Sequence, residues 1–303
     1  MYRVKKRSIS FKNSKGFSNS KMFESSDLVF DVPTQRADYS EYIRDGGNLR
    51  PLPRKEQIAV LDALYRRRNT EMTLIFLIAL YTGARIQTVL TLRIKHFTDS
   101  GSGKEARVRV GTGTGADTKY GKRYTLYFPD WLYKRIKTYI GSDKAKKRRD
   151  RCKLDLLESD NQYVFLSQIG YPMYFAKQDI KSMEDSKIKR LKTLPDGGAV
   201  RKFISSYLIP ELKMAGHHFD FEFHFLRATY GMNEVEKHDK IKNKDGSHRV
   251  DVLLHVMERM GHSDRITTLR YLNYKKKFKD VAKYQDKYED HIWKLMENCG
   301  LPE

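Results

Sequence analysis

Three short segments of this 303-residue chain carry side chains that could together hold a phosphate and attack it. They are Thr82-Gly83-Ala84-Arg85, His224-Phe225-Leu226-Arg227, and Gly261-His262-Ser263-Asp264-Arg265-Ile266-Thr267-Thr268-Leu269-Arg270-Tyr271. They supply two guanidinium groups, two imidazoles and a phenol. A phenol with a pKa near ~10 is a weak nucleophile at neutral pH unless a base takes its proton and cations stabilise the developing charge. Two planar guanidinium forks suit the non-bridging oxygens of a phosphate, whose charge grows in the transition state. His224 stands three positions before Arg227, so on a helical turn the two project on one face.

Each residue also has a plainer reading. A lone tyrosine on an apolar stretch is usually a core residue with its hydroxyl bonded. A lone arginine is usually a surface ion-pair partner, and a lone Gly-His marks a helix end. The order and spacing of all three segments weigh against those readings. Tyr274 is a rival nucleophile, but its distance from His262 in sequence does not fit. His217, His218, Glu222 and His224 suggest a metal site, yet they complete no familiar ligand pattern.

Gly-His, a short polar turn, Thr-Thr, two further residues and then Tyr271 match without a gap a motif of the tyrosine recombinases, the phage-type integrase family. In that order, with the two upstream arginine segments, the chain resembles the family's active site. The resemblance covers roughly residues 50–290 and implies an α+β, mainly helical catalytic domain with a small antiparallel sheet and a C-terminal amphipathic helix. It implies that Tyr271 attacks DNA to leave a 3′-phosphotyrosyl bond, that Arg85, Arg227 and His262 hold the phosphate, and that His224 is the base. Lys119 on the hairpin that follows is the expected acid for the leaving 5′ oxygen, with Lys122 as the alternative. The chemistry conserves bond energy, so no metal or cofactor is expected. The expected partners are double-stranded DNA and further copies of the chain, as a tetramer on paired sites, with no membrane or small-molecule substrate. A type IB topoisomerase, a hairpin resolvase or an inactive DNA-binding regulator would share these features.

Three departures from the family stand out. Thr88 occupies the place of an acidic residue three positions after the first arginine. The stretches between the motifs are longer than usual, which points to inserted loops. About 50 N-terminal residues are too few for the family's clamp-closing helical domain.

Composition agrees with a polyanionic partner. Lys and Arg number 59 against 38 Asp and Glu, a formal charge of +21, and such a surplus repels itself unless nucleic acid or another polyanion neutralises it. Two cysteines with no CxxC pair weigh against a disulfide scaffold or a zinc finger. The longest apolar run, Leu74 to Tyr81, is far too short to span a bilayer. The expected location is the cytoplasm of a prokaryotic or viral system, at the nucleoid.

The elements that must position these residues are partly legible. Residues 1–50 lack a sustained apolar period and read as an arm with one short strand at Asp27–Asp31; residues 51–303 read as the catalytic domain. Ile58, Leu61, Leu64 and Tyr65 fall at helical spacing. A helix through Leu74 to Tyr81 is apolar all round and ends at Gly83, which places Arg85 in the turn to the next short helix. Arg107–Val110 and Tyr124–Phe128 alternate as strands, and a Gly-rich tip with lysines joins them. Pro129 opens a helix through Leu132, Ile136 and Tyr139. The run Lys144–Arg151 reads as a solvated loop, Tyr163–Leu166 as a short strand, and residues 199–214 as a helix bent by Pro210. Glu236–Asp251 reads as an exposed loop, Val252–Met260 as a helix, and residues 276–298 as an amphipathic tail helix.

Overall fold

The computed structural model describes residues 4–12, 18–26, 42–98, 103–152, 159–185, 194–239 and 251–276. The chain divides into two units, Met1–Ser40 and Glu41–Glu303. The first contains an antiparallel hairpin, β1 (Val4–Lys12) and β2 (Ser18–Ser26), in register from Val4↔Ser26 to Lys12↔Ser18. The sequence reading had no element here. A hairpin is held by backbone N–H···O=C pairs, which leave no apolar period to read. The expected strand at 27–31 and tail helix at 276–298 lie outside the described residues, the latter save for its first position.

The second unit opens with a tight hairpin, β3 (Ile43–Arg44) and β4 (Asn48–Leu49). Its cross-strand pair Ile43↔Leu49 is buried. Residues 43–49, assigned to the arm by sequence, therefore belong to this unit's core. Asp45-Gly46-Gly47 form the turn, where Gly46 takes φ +76°, open to glycine at no steric cost.

Helix α1 (Arg54–Arg67) follows. It buries Gln57, Ala59, Val60, Ala63 and Leu64, whereas Ile58 and Tyr65 of the expected stripe are exposed. The two alanines let that face lie close to α2, and Gln57 Nε2 donates to Leu52 O at 2.8 Å, which fixes the helix rotation. Helix α2 (Thr70–Thr82) is capped by the Asn69 side chain, which accepts from Met72 N. Every residue from Glu71 to Leu80 is buried, and Gly83 ends the helix in the left-handed conformation. Arg85 then N-caps α3 (Ile86–Leu90).

Strands β5 (Glu105–Val110) and β6 (Tyr124–Pro129) pair antiparallel, Val110 opposite Tyr124, and α4 (Asp130–Gly141) packs beside them. The charge run is a helix, α5 (Asp143–Asp150), not a loop. Lys144 and Arg148, one turn apart, reach the buried Glu71 at 3.0 and 3.1 Å, which gives the run an inward face. Tyr163–Leu166 makes only single bridges, Arg93↔Tyr163 and Leu166↔Pro172. All four residues are buried, so no alternation develops. Helix α6 (Lys177–Asp185) follows.

Helices α7 (Gly198–Phe203) and α8 (Ile209–Met214) are joined through a π-helical turn, Ile204–Leu208, just ahead of Pro210. The proline lacks an N–H, so the ladder widens there. Helix α9 (Phe225–Asp239) runs further than the sequence suggests, and α10 (Val252–Met260) ends at Gly261 (φ +61°). A further helix, α11, covers residues 265–276. Among the described residues the fold of this unit is thus mainly helical with two-stranded antiparallel sheets, and no helix is long and apolar enough to cross a membrane.

Candidate active site

Two helices end at the same point, and that coincidence builds the site. Both α2 and α10 stop at a left-handed glycine, Gly83 and Gly261. Their C-terminal carbonyls, which have no intrahelical donor, carry the negative end of each helix dipole. Arg227, in the first turn of α9, takes both. Its Nη1 donates to Gly83 O at 2.7 Å and its Nη2 to Met260 O at 2.9 Å. The guanidinium is 1% exposed and locked in orientation, with Nε facing the centre.

At that centre lies the carboxylate of Asp45. Arg227 Nε donates to Oδ2 at 2.7 Å, the Tyr271 hydroxyl donates to Oδ2 at 3.1 Å, and His262 Nε2 lies 3.0 Å from the same oxygen. Arg85 Nη2 donates to Oδ1 at 2.6 Å. Four of the six residues singled out by sequence therefore converge on one anion. They come from α3, α9, the turn after α10, and α11.

Each is held from behind. Arg85 follows the Gly83 turn, so its backbone is fixed by the end of α2. His262 Nδ1 meets Thr268 Oγ1 at 2.9 Å, and its backbone N donates to Met257 O. With burial keeping the ring neutral, Nε2–H donates to Asp45 and Nδ1 accepts from the threonine. Thr268 is fully buried. The Tyr271 ring lies against α9 where Gly231 leaves room; a Cβ there would come within 2.5 Å of Tyr271 Cε1 and 2.6 Å of Met260 Sδ.

The remaining two candidates border the cluster. His224 and Lys119 line the same cavity as Arg85 and Gly46. A Cβ on Gly46 would stand 3.1 Å from Lys119 Nζ and 3.7 Å from His224 Cε1. His224 Nε2 is buried with no hydrogen-bond partner, and no hydrogen bond joins His224 to Tyr271. Lys122 is tied to the turn that carries His262, its Nζ donating to Gly261 O at 2.8 Å. The tip that carries both lysines is pinned by Arg93, whose Nε donates to Gly115 O while Nη2 pairs with Asp179. His217 and His218 are exposed and form no metal-type cluster with Glu222 and His224.

The electrostatics follow from this crowding. Burial opposes the Asp45 charge, but Arg227, His262 and Arg85 outweigh it and hold the carboxyl far below the usual range. Burial, reinforced by the Asp45 charge, pushes the Tyr271 phenol well above 10. Burial, with Arg227 nearby, pulls His224 down to about 4 and lowers His262. Both rings are neutral at pH 7, so His224 has a lone pair to accept a proton.

Asp45 was missed by sequence. Asp45-Gly46 reads as a turn, which it is, but nothing in the turn announces that its carboxylate meets an arginine 182 positions away. Thr88, three positions after Arg85, is buried, and the carboxylate that Arg85 contacts is that of Asp45.

No family model matches the chain, and no curated protein does. Solved structures to which it is similar include the XerH site-specific recombinase bound to palindromic difH substrate, at TM-score 0.48 and 16% identity, covering 78% of this chain and 53% of that one. Another is the Tn1549 transposon integrase in complex with circular intermediate DNA, at TM-score 0.45 and 17% identity, covering 73% and 61%. A third is the catalytic domain of bacteriophage HP1 integrase, at TM-score 0.38 and 16% identity, covering 75% and 89%. The chain thus spans about half the length of XerH.

Proposed function

We propose that this chain is a site-specific DNA recombinase of the tyrosine type, which breaks and rejoins DNA through a 3′-phosphotyrosyl intermediate. The observation that carries the reading is the set of four donors around one carboxylate. Asp45 stands in for a scissile phosphate: a compact anion held by two guanidiniums and an imidazole, with a tyrosine hydroxyl directed at it. The net charge of +21 supplies the long-range attraction for DNA.

With a phosphate in that place, Arg85, Arg227 and His262 bond its non-bridging oxygens and stabilise the charge of the pentavalent transition state. The Tyr271 oxygen forms a bond to phosphorus as the bond to the 5′ oxygen breaks. The tyrosine proton passes to His224 and a proton from Lys119 goes to the leaving oxygen. Rejoining reverses each transfer. Several copies acting on paired sites then exchange strands.

The test uses a nicked suicide duplex spanning the ends of the DNA element that encodes the chain, from which the cut strand diffuses away. An SDS-resistant adduct mapped by mass spectrometry to the peptide containing Tyr271 supports the reading. No adduct on any such duplex, or an adduct on another residue, overturns it.

A further inference from the structure

We infer that Asp45 is a built-in occupant of the phosphate site, and that the chain is closed to DNA until this carboxylate leaves. The inference rests on the function proposed above and concerns how that site is regulated. Access is the first argument. Tyr271 is 0% exposed and Arg227 1%, so no phosphodiester reaches either while Asp45 is in place. Selectivity is the second. An aspartate that merely braced Arg85 would need one contact, yet Oδ2 also collects Arg227, His262 and Tyr271, the groups expected to meet a substrate oxygen.

The mounting is the third argument. Asp45 sits at the turn of a hairpin with two-residue strands, Ile43–Arg44 and Asn48–Leu49. The hairpin is seated by buried Ile43 and Leu49 and tied by Arg270, whose Nη1 donates to Arg44 O at 2.9 Å; just beyond it, Leu52 N donates to Thr229 Oγ1 at 2.9 Å. Arg270 lies one residue before Tyr271, so displacing the hairpin releases both ends of the contact between Asp45 and α11. A DNA phosphate carries the same charge, and its approach is favoured by the whole basic surface.

The test compares the full chain with Asp45→Asn and Asp45→Ala, with inorganic phosphate as the probe. Removing the carboxylate leaves Arg85 and Arg227 without their counter-ion, so both variants lose stability. Added phosphate is expected to restore their Tm while hardly moving that of the parent chain, and to bind the variants at least tenfold more tightly. Adduct formation on the suicide duplex is expected to start faster. Equal phosphate affinity in parent and variants overturns the inference, as does slower cleavage with no gain in phosphate affinity, which would make Asp45 a brace. Tighter phosphate binding with no DNA adduct in any variant leaves the plug standing and sinks the recombinase reading instead.

A separate cluster carries a second inference. Glu234 and His238 lie one turn apart on α9, and His255 faces them from the first turn of α10. Glu234 Oε2 is 3.1 Å from His255 Nε2 and 3.6 Å from His238 Nε2, and the two imidazole centroids are 3.8 Å apart. Around a tetrahedral ion with bonds of about 2.0–2.1 Å, ligand atoms stand roughly 3.4 Å from one another. The two separations from Glu234, 3.1 and 3.6 Å, bracket that value. Both His238 ring nitrogens are buried without a hydrogen-bond partner, a costly state for imidazole unless a ligand fills it. Nearby Arg259 is engaged by Glu105 through two bonds, at 2.9 and 2.7 Å, and so does not claim Glu234.

We propose that Glu234, His238 and His255 bind a zinc-class cation, with water as the fourth ligand. Two imidazoles and one carboxylate favour nitrogen-preferring zinc over magnesium or calcium. The ion would join the end of α9 to the start of α10, across the chain segment 240–250. Because α10 leads directly into Gly261-His262, the site is suited to hold the catalytic turn in place.

Chelator-treated full chain is titrated with Co²⁺ and Zn²⁺, alongside His238→Asn and His255→Asn. One equivalent of cobalt with an intense tetrahedral visible band is expected, displaced by zinc and absent from both variants. Micromolar zinc is expected to raise the Tm of the parent by roughly 5 °C, with no response to magnesium. Cobalt uptake that is unaltered in both variants, or no stoichiometric uptake at all, overturns the proposal.

Discussion

The Tyr271 hydroxyl donates to Asp45 Oδ2 at 3.1 Å, across 226 positions of sequence. This one contact joins a proposed nucleophile to a buried carboxylate and holds it in its protonated form. Burial and the negative charge both keep the phenol from ionising. Tyr271→Phe is expected to abolish the covalent adduct while leaving salt-sensitive DNA binding intact. Its stability cost should be about 1 kcal/mol, the worth of one hydrogen bond. Gel shift and SDS-resistant adduct assays on the same duplex check both halves.

Arg227 ties two helix ends together and, in the proposed reaction, holds the phosphate. Arg227→Ala is expected to cut the cleavage rate by ~10²–10³, as for loss of a charge-stabilising donor. It is also expected to destabilise the fold by about 3–5 kcal/mol, since Asp45 and two helix-end carbonyls lose their partner. Arg227→Lys should rescue little of either, because an ammonium lacks the fork that reaches Gly83 O and Met260 O together. Denaturant unfolding and single-turnover cleavage separate the two effects.

Gly231 is a test of packing behind the proposed nucleophile. A Cβ there meets the Tyr271 ring at 2.5 Å and Met260 Sδ at 2.6 Å. Gly231→Ala is expected to lower stability by about 1–3 kcal/mol, the usual effect of overpacking. It should slow adduct formation more than DNA binding, because the phosphate contacts are not touched. Equal losses in both would mean that the Tyr271 ring does not depend on this gap.

The two lysines of the hairpin tip are separable by leaving-group chemistry. Lys119 borders the cavity with Arg85 and His224, whereas Lys122 is tied to Gly261 O at 2.8 Å. On a duplex with sulfur in place of the 5′ bridging oxygen, the leaving thiolate needs no acid. Lys119→Ala is therefore expected to be slow on the ordinary duplex and near normal on the sulfur-substituted one. Lys122→Ala is expected to be impaired equally on both, through its anchor on the His262 turn. The opposite pattern would transfer the acid role to Lys122.

Stability should depend on pH in a defined window. Burial pulls His224 and His96 from 6.5 down to about 4 in the folded chain. Between those values the unfolded chain binds more protons than the folded one. Stability is then complete above about pH 6.5 and falls as pH drops toward 4. His224→Gln is expected to flatten part of that slope in Tm measurements; a slope unchanged in this variant and in His96→Gln would show that other groups set it.

Some of this was written in local sequence and some was not. The apolar run of α2 was readable because a helix buried on all sides needs no partner pattern. The β5–β6 pair was readable from alternation, and the end of α10 from Gly261. The inward face of α1 was not, because Gln57 and two alanines define it while Ile58 and Tyr65 remain exposed. The run Lys144–Arg151 was read as solvated because its inward anchor, Glu71, lies far away in the chain.

The sequence by itself determined which side chains could handle a phosphate, since motif spacing and the glycines that end α2 and α10 are local properties. Only the tertiary structure decided that Gly83 O, Met260 O, Arg85, Arg227, His262 and Tyr271 meet at one point. Only it revealed that the point is occupied by Asp45. The reason is that helix periods and turn chemistry act over a few residues, whereas a buried anion is placed by the sum of charges that surround it, and those are assembled from the whole length of the chain.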